Sequence, residues 1–501
     1  MKCQQCGWDD HGDFAFCENC GAKQAPASMD TATKDATRYL CAAVQLDPGL
    51  NDSALRGILH EEHRAVASSP GIDLVTVLKY GLAARQRHLL RDGVLGAILF
   101  LFVIVFLGSP GTALALLVPL GLCAWLTVFI ESMVANYSVV AAELSRDRFD
   151  PAKAPQPVNR QDRLRLAEIE ARDRGNVTVF AGYSPFVGYG RTAGRWSFTL
   201  DVAKPAEDRT LVAFTAQELR DFIAADVARL ALPGVEVENR MFINGLDLLH
   251  GFEPEVQKAV LPDELAAPVS RVDDAVFDRL QDDPQSRARP YLVLRIGGWS
   301  GQLVVTMFLR FALLPQKDVL FVEANYSLLT PIRHEYLAID RLLPRPTWRQ
   351  VSRLVSASLV KTLPALFGGF FRTVSVPLAA LGRPRKLRRE AREITEDRTF
   401  NYGAGPSLRE QAADGAYHRY FQQLDREMYG KLAERRVIDA LTRFLEDHGV
   451  DTSELVERTT TILNHGIYVA GDGRIDAKSI AVGSNAVART INRVTEAGRK
   501  G

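Results

Sequence analysis

The sequence predicts a multidomain membrane protein: an N-terminal zinc ribbon, a two-helix transmembrane hairpin, a cytoplasmic α+β domain, and a C-terminal helical module ending in a β-hairpin. Three observations carry that expectation. Residues 93–130 hold no charged side chain between Asp92 and Glu131. Two Cys-x-x-Cys pairs open the chain. After the apolar run, period-two strand patterns alternate with helical ones.

Composition narrows the function classes. A chain of 501 residues accommodates three or more folding units. With 61 basic and 60 acidic residues the net charge is +1, so no global basic field recommends nucleic acid as a partner. Met1-Lys2 leads straight into cysteines, and no secretory leader is expected.

The first unit, 1–24, contains Cys3, Cys6, Cys17 and Cys20. A two-residue gap lets each pair of thiolates converge on one ion, and Gly7 and Gly21 free the turns that follow. Four thiolates in this arrangement favour a closed, structural Zn2+ site. Disulfides would need an oxidising compartment, which conflicts with the expected topology. Asp9, Asp10, Asp13 and Glu18 outweigh Lys2 and Lys23, the opposite of a phosphate-binding ribbon. Trp8, Phe14 and Phe16 suit a protein contact better.

Residues 25–34 are small and polar and read as a linker. The segment 35–92 reads as juxtamembrane helices, with apolar positions at Tyr39, Leu40, Ala43 and Val44. Pro48-Gly49 should end the first helix, and Asn51 or Asp52 should cap the second. His60-Glu-Glu-His63 lacks the metalloprotease spacing and reads as a solvated helix face.

Residues 93–130 exceed one membrane crossing, and Gly108-Ser-Pro-Gly111 breaks them near the middle. Each half approaches the ~20 residues that span a bilayer. Lys79, Arg85, Arg87 and Arg91 precede the hairpin; Arg146, Arg148, Lys153 and Arg160 follow it. Positive flanks stay cytoplasmic, which places both termini inside and makes the chain multi-pass.

A helical linker, 131–174, contains Pro151, Pro155 and Pro157 and a helix from Arg160 to Arg174. In the α+β domain, 175–345, strands are expected at 177–180, 196–202, 240–243, 291–296, 302–311 and 319–323. Helices are expected at 216–230 and 254–260. The glycine-rich loop Gly182–Gly190 lacks a phosphate-loop lysine and reads as a structured turn. Ser184 lacks a nucleophile-elbow context. His334–Asp340 reads as helix surface.

The segment 346–399 is amphipathic and then polybasic. Lys361 and Arg372 leave only ten uncharged residues between them, too few to span, and Pro364 and Pro377 should bend the helix. The basic run 383–392 suits an anionic membrane face. In 400–501, the residues Tyr417, Phe421, Leu424, Met428, Leu432, Ile438, Leu441 and Leu445 recur along one helix ending at Gly449. A second helix from Thr452 or Ser453 to Asn464 and a hairpin around Gly471-Asp-Gly473 complete a unit that looks separate.

The stretches Ala36–Ala43, Asn176–Gly188 and Gly298–Val305 resemble a family of uncharacterised zinc-ribbon membrane proteins from actinobacteria. The resemblance covers most of the chain after the ribbon. It implies a bacterial inner-membrane setting and supplies no mechanism, catalytic residue or cofactor site.

These features favour a non-enzymatic membrane protein, a cytoplasmic-facing scaffold or regulatory adaptor. Its partners would be the lipid bilayer, other proteins and a second copy of itself. The alternatives are a pore-forming effector of bacterial defence and a membrane-tethered hydrolase built around Gly182–Gly190. No catalytic residue stands out.

Overall fold

The computed structural model describes residues 27–457, apart from 174, 233, 282, 284–285 and 315–317. The four ribbon cysteines and the hairpin expected around 471–473 lie outside the described residues, as does most of the helix expected from Thr452.

α1 (Ala27–Leu46) begins inside the stretch read as a linker. From Tyr39 to Val44 it is buried on every side, which explains a run of small and apolar residues without a polar face. Pro48-Gly49 ends it as anticipated. The cap of α2 (Pro48–Ala54) is Asp47 rather than Asn51 or Asp52: its carboxylate accepts from the Gly49 and Leu50 amides. Asn51 is instead buried, donating to the Gly81 carbonyl.

α3 (Leu74–Gly108) is one continuous helix carrying both the basic flank and the first apolar half. Ser109 is extended, and α4 (Pro110–Met133) starts with the proline in its first turn, where a missing N–H costs nothing. A π-helical turn, Val134–Val140, follows. α5 (Arg160–Asp173) closes the segment before the sheet.

Six strands form one mixed sheet: β1 (Val177–Phe180), β2 (Arg191–Asp201), β3 (Val235–Asn244), β4 (Arg289–Gly298), β5 (Leu303–Leu314) and β6 (Val319–Leu329). Their order is β1-β3-β4-β5-β6-β2. β1 runs parallel to β3 and the other neighbours are antiparallel. The sequence of β5, LVVTMFLRFALL, is apolar on both faces because both faces are covered. β2, an edge strand, alternates between buried and exposed over its second half.

α6 (Ala216–Val227) starts with a Thr215–Glu218 capping box. α7 (Pro254–Val260) and α8 (Asp274–Gln281) pack at the β1–β3 end. α9 (His334–Leu337) is short. α10 (Trp348–Thr395) is a single 48-residue helix; α11 (Leu408–Gln411) and α12 (Tyr420–Asp447) follow.

α10 runs as one helix through Pro364, Pro377 and Pro384; beside the first of them, Ala365 and Leu366 pack with Leu95 of α3 and Ala124 of α4. One expectation is corrected here. Among the described residues, α12 does not belong to a separate body. Val437, Leu441, Phe444 and Leu445 of α12 share one core with α6 and with Leu309 and Val322 of the sheet.

Candidate membrane-anchoring site

Among the described residues three helices are long and apolar enough to cross a membrane: α3, α4 with its π-turn, and the section Trp348–Thr373 of α10. Charged side chains gather where α3 and α4 meet the remainder of the protein. Glu131 sits among Arg87 (3.2 Å), His88 (3.4 Å) and Arg91 (3.5 Å). Arg91 also lies 2.9 Å from Asp92. From α10, Arg372 donates to Asp92 from Nε at 2.6 Å and from Nη2 at 3.1 Å. Asp92 is 2 % exposed, so this carboxylate is buried and paired on two sides.

This collar divides the helices. Past it, α3 and α4 expose Phe100, Ile104, Leu107, Leu114 and Val118 at half or more of their surface. In water such a surface would be costly, at about 25 cal/mol per Å2 of apolar area.

α10 packs on both helices of the hairpin close to the collar. Gly96 and Gly369 allow the backbones to approach: a Cβ on Gly96 would lie 3.9 Å from the Phe370 Cα, and one on Gly369 would lie 3.4 Å from the Asp92 Cα. Ala365 and Leu366 pack with Leu95, Ala124 and Val128. The Trp125 indole donates to Ser358 at 3.0 Å. The outward face of α10 is apolar, with Val360, Leu363, Phe367 and Phe371 exposed.

Both ends of α10 return to the same body. Before it, Asp340 accepts from Arg38 at 2.6 Å and from the Tyr39 hydroxyl at 2.5 Å. Burial works against the Asp340 charge, yet these hydrogen bonds hold its carboxyl below the usual range. Burial and the bond to Asp340 push the Tyr39 phenol up to about 12. After the apolar section, Lys386 reaches Glu61 at 2.9 Å and Glu390 meets His63 at 3.0 Å. Ile394 is fully buried with Val177 and Phe400.

The residues flagged from sequence separate clearly. His60–His63 is not a solvated helix face: the segment is irregular and His63 is buried, since α10 covers it. Gly182–Gly190 is a packed turn. Phe186 and Tyr189 are buried, and the Gly188 and Gly190 amides both donate to Glu410 at 2.9 Å. Ser184 is exposed and has no hydrogen-bond partner among the described residues. His334 and Asp340 do not meet; His334 lies against His418, which bonds Asp414 at 2.9 Å. Among the described residues no group of three His, Cys, Asp or Glu side chains is arranged to hold a metal.

Sequence reasoning missed the role of Arg372. It reads as an interruption of an apolar stretch, whereas it is the partner of Asp92. An isolated cation and an isolated anion, each bordering apolar sequence, were the available signal.

A family model for an AbeC-like domain matches residues 195–476, more than half of the chain. The match runs from within β2 through α10 and α12 and leaves the α3–α4 hairpin outside. No curated protein and no solved structure matches the chain.

Proposed function

The chain belongs to the AbeC-like domain family, and on that premise we propose that it is a non-enzymatic integral membrane protein of the bacterial inner membrane. The α3–α4 hairpin anchors it, and its cytoplasmic body serves as a scaffold or regulatory adaptor for protein partners. Cys3, Cys6, Cys17 and Cys20 hold a structural zinc ion at its N-terminus.

The observation that carries this reading is the collar formed by Asp92, Glu131 and Arg372, beyond which α3 and α4 expose apolar side chains. A crossing helix delivers its ends to opposite faces of the bilayer. α10 has both ends attached to one body, which favours an in-plane helix whose exposed Leu363, Phe367 and Phe371 face lipid. Two crossings then leave the body and both termini in the cytoplasm.

Cys123, exposed on α4, supplies the test. In sealed native vesicles a charged maleimide should leave Cys123 unmodified, and SDS should make it reactive. The chain should also pellet with membranes after alkaline washing. Labelling of Cys123 without denaturant, or chain in the supernatant, would overturn the assignment.

A second reading, a membrane-disrupting effector, rests on the polar positions Ser358, Thr362 and Arg372 that α10 brings close to the hairpin. It requires loss of membrane potential on expression, abolished by Leu101→Asp or Leu117→Asp. The hydrolase reading has no support in the geometry, since among the described residues no base lies beside Ser184 and its loop is packed.

A further inference from the structure

Besides the apolar face buried on the sheet, α12 carries a second apolar stripe that is turned to solvent. Tyr420 is 72 % exposed and Phe421 65 %, and Leu424, Met428 and Leu432 are each 40 % exposed or more. The opposite face, with Tyr429, Ala433 and Val437, is the one buried on the sheet. At about 100° per residue, Phe421, Leu424, Met428 and Leu432 fall within one narrow sector. α12 is held rigidly, its core side supported by β5 and α6 and its start by the Trp299 indole donating to Asp425 at 2.8 Å.

We propose that this stripe is the contact surface for α12 of a second copy of the chain, paired antiparallel about a two-fold axis at Met428. This rests on the membrane-anchored reading, which supplies the local concentration. The charges select both occupant and direction. Glu427 and Lys431 are exposed on the same flank of the stripe. Antiparallel pairing centred on Met428 sets Glu427 of each copy beside Lys431 of the other. It also brings Leu424 opposite Leu432, and the exposed Arg435 guanidinium over the Phe421 ring. Parallel pairing would bring Asp425 against Glu427 and leave Lys431 facing an apolar side chain. An anionic lipid surface fits less well, because Glu427 and Asp425 border the stripe.

Three turns of paired helix bury less than the ~1,200–2,000 Å2 of a stable interface between free proteins. Association is therefore expected where the bilayer confines the copies, as a tether raises effective concentration.

The test uses full-length protein in native membranes with the photoreactive residue p-benzoylphenylalanine at position 428 or, as control, at the exposed Gln423 on another face. Irradiation should yield a covalent dimer from 428 and at least tenfold less from 423. Glu427→Lys should abolish the dimer, and adding Lys431→Glu should restore it. The pairing is overturned if membrane-bound chain gives no dimer from 428. It is equally overturned if the crosslink maps to residues 458–501 of the same chain or to lipid, or if the double reversal fails to rescue. Chain found in the supernatant would sink the anchoring reading instead; there, a dimer from concentrated protein upholds the pairing and its absence removes it.

Discussion

The Arg372 guanidinium grips the buried Asp92 carboxylate through bonds of 2.6 and 3.1 Å, and so ties the longest helix to the root of the hairpin. Arg372 is itself half exposed, so the pair sits at the boundary between the collar and the apolar surface. Breaking one side of a buried pair costs ~3–5 kcal/mol, and Arg91 at 2.9 Å keeps the loss near the lower end. Arg372→Leu should therefore loosen α10 from α3 by about 3 kcal/mol. Trypsin cleavage within the basic run 383–392 should accelerate roughly a hundredfold, while Asp92→Leu with Arg372→Leu should recover most of the protection. Unchanged cleavage in the single variant would show that the pair does not hold α10.

Glu410 is the support of the glycine-rich loop. One carboxylate oxygen takes both the Gly188 and Gly190 amides, and the other takes the Ser407 amide at 2.7 Å. Charge-assisted bonds of this kind are roughly twice as strong as neutral ones. Glu410→Ala should destabilise the loop by about 2–3 kcal/mol and raise hydrogen exchange at residues 186–190. Glu410→Gln keeps the two glycine bonds and sets an amide against the Ser407 N–H, so its exchange should be intermediate.

The glycines themselves admit no side chain. Gly188 and Gly190 have φ of 97° and 90°, and an added Cβ would lie 2.1 Å from the Ser68 carbonyl oxygen and 2.2 Å from that of Leu328. Gly188→Ala and Gly190→Ala should each lower the melting temperature more than Glu410→Ala does, whereas Gly182→Ala, which meets nothing within 4 Å, should be neutral. Equal melting of all three would remove the close-packing argument.

Much of this architecture was legible in the residues. An uncharged run with a Gly-Ser-Pro-Gly break has few outcomes besides two apolar helices, and strand-like apolar runs, alternating or continuous, fell within all six strands. Two relationships were hidden. The apolar period of α12 belongs to two different faces: Ile438, Leu441 and Leu445 are buried, but Phe421, Leu424 and Met428 are not. Sequence shows the period and not which neighbour covers it. In α10, Arg372 reads as an interruption of an apolar helix, and its partner Asp92 lies 280 positions away in the chain.

Acid should open the contact between α1 and the segment before α10. Asp340 has its carboxyl held below the ordinary range by Arg38 and Tyr39 against the effect of burial. A depressed folded-state value means the stabilisation is complete above the unfolded value, near 3.9, and is lost as pH falls through the folded value. Hydrogen exchange at 336–342 should thus be flat between pH 5 and 8 after correction for intrinsic rates, and should rise below about pH 4. Asp340→Asn should exchange faster throughout and lose most of the acid dependence. An opening that appears on raising pH would contradict the sign.

Zinc binding is tested most cleanly by replacing one knuckle. Four thiolates bind Zn2+ tightly because each is deprotonated on coordination, and removing Cys17 and Cys20 leaves only two ligands. Cys17→Ser with Cys20→Ser should reduce bound zinc from about one equivalent to near zero. On the proposed zinc-ribbon reading a unit of this size would draw its folding energy from the metal, so residues 1–24 should become protease-sensitive in the variant. Membrane pelleting and the Arg372–Asp92 protection should persist, because neither draws on the ribbon. Zinc retained at the starting level would mean that other side chains hold it, and the four-cysteine assignment would fall.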